Sequence, residues 1–154
     1  MYSGLLESPI GPIRIEADDN FLLGVDLLPK VCDESHYSNA LVMEAKQQLE
    51  QYFAGERRRF TIPLKIEGRI FQKKVFSAMQ SIDYGEWLSY SEIAVRIGHP
   101  RAFRAVGSAC GMNRLPIFIP CHRIVAVNGL GGFSSGISKK IFLLQLEGSL
   151  TKCK

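Results

Sequence analysis

Apolar residues fall in short strand-like runs at the start of the chain and at helical spacing through most of the remainder. YSGLLES and PIRIEA read as strands, separated by the turn-rich Ser8-Pro9-Ile10-Gly11. Asp18-Asp19-Asn20 is a second turn, and the apolar run FLLGVDLL comes after it. Three short strands joined by tight turns predict an antiparallel meander. From Asn39 to Ala54 the residues Leu41, Ala45, Leu49 and Phe53 recur at four-residue spacing, which lines one face of a helix that Gly55 ends. The polar, proline-bearing GERRRFTIPLKIEG then reads as a connector.

Beyond the connector the pattern predicts a helix from Ile70 to Ile82 with Val75, Met79 and Ile82 inward, stopping near Tyr84-Gly85. In SYSEIAVRIG, Ser89 and Glu92 have capping-box spacing, Ile93 and Ile97 lie one turn apart, and Gly98 is the stop. Pro100 opens a second predicted helix, PRAFRAVGSACGMN. Two short helices joined by a glycine-containing turn have the signature of a helix-turn-helix. In the second, Ala102, Ala105, Val106 and Ala109 form a thin apolar stripe, while Arg101, Arg104, Gly107, Ser108 and Gly111 occupy other positions. Small residues beside arginines let a backbone approach a nucleic-acid groove. The competing reading is a tightly packed core helix, for which the arginines have no use. LPIFIPCHRIVAV reads as a buried strand or loop with Cys121 at its bend, with the glycine-rich NGLGGFSSG after it. The last helix, SKKIFLLQLEG, takes Ser138 as its expected N-cap, with Ile141, Leu144 and Leu143 facing the core.

Charge sharpens the division at residue 64. Residues 1–64 carry six Lys/Arg and ten Asp/Glu, a balance of −4, whereas residues 65–154 carry thirteen and five, a balance of +8. Two domains, 1–64 and 65–154, are expected, with a polyanion as partner of the second. No run approaches the roughly 18 apolar residues of a membrane span, and no leader pattern opens the chain, so a cytoplasmic protein is expected. The four cysteines, Cys32, Cys110, Cys121 and Cys153, lack CxxC spacing, and no His-x3–5-His pair is present, which predicts reduced thiols and no metal.

The candidate chemistry is Cys121-His122. A thiolate is the nucleophile and needs help near neutrality, because a free cysteine titrates at about 8.5. Neighbours on an extended strand point to opposite sides, so adjacency alone does not bring the imidazole to the sulfur. Glu147, one of few acids in this half, is the candidate to orient the ring. Cys110 lacks an adjacent base and reads as a space-filler. Cys32, Cys153 and the lone His36 read as incidental.

IPCHRIV, with VGSACGMN upstream and LLQLEG downstream, resembles the O6-alkylguanine-DNA alkyltransferase family, as does FQKKVFSAMQSIDYGEWLSYSEIAVRIG. The resemblance covers roughly residues 68 to 148. It implies an α/β (α+β) fold: a small N-terminal antiparallel sheet plus helix, ribonuclease H-like, then a mostly helical, winged-helix-like domain with the helix-turn-helix. It implies that Cys121 accepts the alkyl group, that His122 takes the thiol proton through a bound water, and that Glu147 holds His122. Asn113 would bridge the helix-turn-helix to the acceptor segment. Arg104 would fill the space of the extruded nucleotide, Tyr90 would help rotate the base outward, and Arg101 and Ser108 would lie against DNA. Ser134, Phe133, Lys140 and Tyr90 would form or support the base pocket. The partner implied is double-stranded DNA containing alkylated guanine, met by a monomer without a cofactor and, in a prokaryote, at the nucleoid. Departures are Phe133 for a tyrosine, Phe76 for a tryptophan and Asp83 for a proline. The zinc ligands of some eukaryotic relatives and the cysteine-rich domain of some bacterial ones are not recognisable. The alternatives are a non-catalytic binder of alkylated DNA, which the cysteine at 121 opposes, and a cysteine hydrolase, which the basic half opposes.

Overall fold

The computed structural model describes residues 1–27 and 37–150, which form two compact units, Met1–Ile66 and Glu67–Lys154. Cys32, His36 and Cys153 lie outside the described residues.

In the first unit, β1 (Tyr2–Ser8), β2 (Gly11–Ala17) and β3 (Leu22–Leu27) pair as an antiparallel meander. The register sets Leu6 opposite Ile13 and Ile15 opposite Val25, so alternate residues feed one buried face. The second turn is fixed by Asp18, whose Oδ1 accepts from the amides of Asn20 at 2.8 Å and Phe21 at 2.7 Å. Helix α1 (Ala40–Phe53) starts where Asn39 Oδ1 accepts from the Val42 amide at 2.9 Å. It packs on β1 and β2. A Cβ at Gly4 would lie 2.6 Å from Val42 Cγ1, so the close approach of helix to sheet needs glycine there.

Two expectations change. The buried face of α1 is Val42, Ala45, Leu49 and Tyr52, not the Leu41 and Phe53 stripe, because Leu41 and Phe53 are only partly covered. The expected connector is docked rather than free: Leu64 bridges Leu22, and Ile62 is buried. The reason is Gln48, whose amide donates to Thr61 Oγ1 at 2.8 Å and accepts from the Thr61 amide at 3.0 Å. A buried polar side chain is tolerated when its bonds are made, and these bonds fasten the segment.

In the second unit, α2 (Ile70–Gln80), α3 (Tyr90–Arg96) and α4 (Phe103–Gly111) pack against one another, burying Val75, Phe76, Met79, Ile93, Ala94, Val106 and Ala109. The capping box of α3 is formed: Ser89 Oγ accepts from the Glu92 amide at 3.0 Å, and Glu92 Oε1 accepts from the Ser89 amide at 3.2 Å. Helix α4 begins at Phe103 rather than Pro100, because residues 99–102 first close a turn, Ala102 N–H donating to His99 O at 2.9 Å. Ala105 of the expected stripe is exposed, leaving Val106 and Ala109 as the packing face. Where a buried strand or loop bending at Cys121 is expected, the bend is a one-turn 3-10 helix, Cys121–Arg123, which leads into β5 (Ile124–Val125). Strand β5 pairs in parallel with β4 (Leu88–Ser89). The last helix, α5 (Ile137–Leu146), is capped at Gly136, so Ser138 lies inside its first turn. Ile141 is only partly covered, and Lys140, Leu143 and Leu144 are the buried positions.

Candidate active site

The 3-10 turn answers the geometric difficulty left by the Cys-His adjacency. A helical turn fans successive side chains around its axis instead of alternating them, and all three residues of this turn are buried. His122 Nε2 lies 2.7 Å from Glu147 Oε2. Arg123 donates to the same carboxylate with two nitrogens, Nε to Oε1 at 2.8 Å and Nη2 to Oε2 at 3.0 Å, and its Nη1 donates to Ile82 O at 2.7 Å. The Arg123 guanidinium also lies 5.9 Å from the centre of the Tyr84 ring. Glu147 is thus held by a bidentate pair and is free to orient the histidine on its other side.

The protonation states are set by these partners. Burial works to raise the Glu147 carboxyl, but the hydrogen bonds from His122 and Arg123 with their charges outweigh it and hold it at about 2. Burial pushes the His122 imidazole below its ordinary value, with the Glu147 hydrogen bond acting against it. A neutral ring beside an ionised carboxylate carries its proton on Nε2, which donates to Glu147. Nδ1 is then the basic nitrogen; it is buried and has no hydrogen-bond partner among the described residues.

Cys121 opens on a cavity of about 220 Å3 lined by Tyr90, Gly107, Cys110, Gly111, Gly132, Phe133 and Ser134. At about 30 Å3 per water, that is far more room than a solvent slot requires. Burial pushes the Cys121 thiol up, while a hydrogen bond from the Asn113 side chain and the charge of Lys140 pull it down. Among the described residues no direct hydrogen bond joins the sulfur to the imidazole. Tyr90 is raised chiefly by burial. Its ring is pinned by the loop: a Cβ at Gly131, where φ is +74°, would lie 2.9 Å from both Cε2 and Oη of Tyr90.

Lys140 is fully buried and donates to Ile124 O at 2.6 Å and Gly132 O at 3.1 Å, tying α5 to β5 and to the glycine loop. Burial lowers its affinity for a proton, and the Cys121 and Cys110 sulfurs oppose that. Asn113 spans the segment between α4 and the acceptor turn, its Nδ2 donating to Ile119 O at 2.9 Å and its Oδ1 accepting from the Leu115 amide at 2.9 Å. Ile117, between those anchors, has φ of +74°, a conformation that β-branched residues rarely adopt.

The structure therefore gathers Tyr90, Cys121, Phe133 and Ser134 around one cavity and pairs His122 with Glu147. Arg101, Arg104 and Ser108 do not line the cavity; they are exposed on or just before α4, with the Arg104 guanidinium 6.0 Å from the Phe103 ring centre. The sequence alone gives no role to Arg123 and a different one to Cys110. Arg123 is the main cationic partner of Glu147, and its place next to His122 in the PCHR run was the available signal. Cys110, read as a space-filler, is a wall of the cavity, because Gly107, Cys110 and Gly111 share one helical face of α4. Among the described residues no group of three or more His, Cys, Asp or Glu is placed to hold a metal ion, and no helix is long and apolar enough to cross a membrane.

Comparison with known proteins gives consistent matches across both units. The model of the 6-O-methylguanine DNA methyltransferase DNA-binding domain matches residues 70–149, and that of the family's ribonuclease-like domain matches residues 1–66. The methylated-DNA–protein-cysteine methyltransferase of Methanosarcina acetivorans is 46% identical, over 97% of this chain and 99% of that protein. The constitutive enzyme of the same name from Bacillus subtilis is 40% identical, over 95% and 94%. The crystal structure of Mycobacterium tuberculosis OGT in complex with DNA superposes with a TM-score of 0.87 at 38% identity, covering 97% of this chain and 94% of that one.

Proposed function

The chain belongs to the 6-O-methylguanine DNA methyltransferase family, and from that premise we propose that it repairs DNA by moving an alkyl group from O6 of guanine to Cys121. The observation that carries this reading is a buried thiol opening on a cavity and backed by a neutral histidine whose other nitrogen is bonded to an ionised glutamate.

The alkyl carbon carried on O6 of guanine lies inside the duplex, so the base must leave the stack before a thiol reaches it. The exposed face of α4, with the turn before it, presents Arg104, Ser108 and Arg101 to the minor groove. Arg104 enters the gap left by the base and offsets part of an unstacking cost of a few kcal/mol. Tyr90 guides the nucleotide outward, and the base rests among Tyr90, Phe133 and Ser134. His122 Nδ1 takes the Cys121 proton through a bridging water while Nε2–H stays on Glu147. The thiolate attacks the alkyl carbon, an S–C bond forms, the C–O bond breaks, and its electron pair goes to the guanine. A hydroxyl at the cavity, Tyr90 or Ser134, supplies the donor that this leaving group needs. Lys140 keeps the Gly132 segment closed over the base. The product is a thioether that no group here can cleave, so each molecule acts once, without a cofactor. The protein works as a monomer where DNA is, in the cytoplasm and at a prokaryotic nucleoid.

Incubation with an oligonucleotide bearing O6-methylguanine, with mass spectrometry of the protein afterwards, tests the reading. One methyl group on Cys121, with restored guanine in stoichiometric amount, is expected. Folded protein that binds the oligonucleotide yet gains no methyl group would overturn transfer in favour of a non-catalytic lesion binder.

A further inference from the structure

Alkyl transfer leaves one sulfur at the cavity without a part. Cys110 lies on the cavity wall, partly exposed, and Cys121 opens on the same cavity. Burial, with a smaller contribution from charge on Cys121, pushes the Cys110 thiol up to about 12, and it is the shared lining of one cavity that brings the two cysteines to a common space. The same Tyr90 hydroxyl and the same Lys140 ammonium feel both sulfurs. Tyr90 lines the cavity with both cysteines, and Lys140 donates to the carbonyl of Gly132 on its wall. The Gly111, Gly132 and Ser134 rim of the cavity is exposed, so small solutes can enter it.

We infer that Cys110 and Cys121 form a dithiol pair that a small hydroperoxide converts into a reversible disulfide across the cavity. His122 draws the proton from Cys121, whose sulfur attacks one peroxide oxygen. An S–O bond forms, the O–O bond breaks, and the departing oxygen leaves as water or alcohol after taking up that proton. Cys110 sulfur then attacks the sulfenic sulfur, an S–S bond forms, and the S–O oxygen leaves as a second water with the Cys110 proton. Two thiols lose two hydrogens and two electrons, and the peroxide is reduced. Lys140 favours the anionic form of both sulfurs. The elevated Cys110 makes the second step slow at neutral pH and faster as pH rises. The disulfide protects the acceptor from irreversible over-oxidation and, on the alkyl-transfer reading, suspends repair until a thiol reductant opens it.

The test is to treat the reduced, DNA-free full chain with a modest excess of hydrogen peroxide and map peptides without reduction. The expected product has lost the mass of two hydrogens, links the Cys110 and Cys121 peptides, and returns to the dithiol with dithiothreitol. The Cys110→Ser variant is expected to give no such product and to accumulate added oxygen on Cys121 instead. Cys110→Ala, checked for folding by circular dichroism, serves if serine disturbs the helix. Over-oxidised Cys121 in the wild-type chain, or linkage of Cys121 to Cys32 or Cys153, would overturn the pair. The linkage is read by mass alone, so it stands or falls apart from alkyl transfer. Loss of methyl acceptance by the linked form, and its recovery on reduction, then tests the consequence.

Discussion

In the first unit the core includes Ile13, Ile15, Leu22, Val25, Val42, Leu49 and Tyr52, and among the described residues the buried polar side chain there is Gln48. The second unit closes on His122, Arg123, Lys140 and Glu147, all buried. The first is stabilised by removing apolar surface from water, a term indifferent to which protons are bound. The second accepts desolvated charges, which contribute little or nothing net to stability, and gains fixed protonation states in return. A chain can thus keep one region for cohesion and another for chemistry, and the two should fail differently.

The largest separation is expected from Glu147→Ala. It strands the Arg123 guanidinium in the interior, which costs about 3–5 kcal/mol, and it releases His122. Denaturant unfolding and single-turnover methyl transfer should fall together. Leu49→Ala, in the other core, is expected to cost about 2–5 kcal/mol while folded protein transfers methyl at the wild-type rate. A slowed transfer at full folding would break the contrast.

Acid provides the next test. Glu147 titrates at about 2 in the fold against 4.5 ordinarily, so its contribution is complete above 4.5 and is lost as pH falls toward 2. His122 is lowered from 6.5, so below 6.5 the unfolded chain binds a proton the fold resists, and stability drops there too. The wild-type advantage over Glu147→Gln in urea midpoint should shrink as pH falls below 4.5. Methyl transfer should stay level as pH passes down through 6.5, because the imidazole in the fold is still neutral there. A rate that halves at 6.5 would place an ordinary histidine at the site. The smallest effect belongs to Asp26→Asn, which removes one carboxylate paired with Arg14, at 2.8 Å on the sheet surface, and leaves Glu16 at 3.5 Å. The Asp26 side chain is 52% exposed, and such pairs contribute about 0–1 kcal/mol. Calorimetry should register little change, and added salt should erase it.

Much of this contrast was legible in the residues. The meander follows from alternation and turn chemistry, and the α3 capping box from Ser89 and Glu92 spacing, because those signals are local. Glu147 was reachable as one of few acids in a basic half. What escaped depended on contacts made across the fold. Gln48 fastening Thr61 cannot be seen from either residue alone, and neither can Cys110 sharing a cavity with Cys121. On α1 the centre of the stripe, Ala45 and Leu49, follows from the four-residue spacing, whereas its ends fall at Val42 and Tyr52 instead of Leu41 and Phe53, because a strict four-residue step drifts off the 3.6-residue face. The 3-10 turn at Cys121 comes directly after Pro120, whose carbonyl accepts from the Arg123 amide at 3.0 Å, and a run of apolar residues conceals so short a turn.

The Asn113 clamp has a consequence for motion. Its two side-chain bonds grip Leu115 and Ile119 on either side of Ile117, whose left-handed backbone would relax if released. The Ile119 amide donates to Leu115 O and the Cys121 amide to Ile119 O, so the same stretch is sewn to itself up to the thiol. Opening any one of these bonds gains little freedom while the others hold. Amide hydrogen exchange at Leu115, Ile119 and Cys121 should therefore proceed with one shared opening free energy, and Asn113→Ala should accelerate all three together. The acceptor sulfur is then presented by a segment that opens as a whole or not at all.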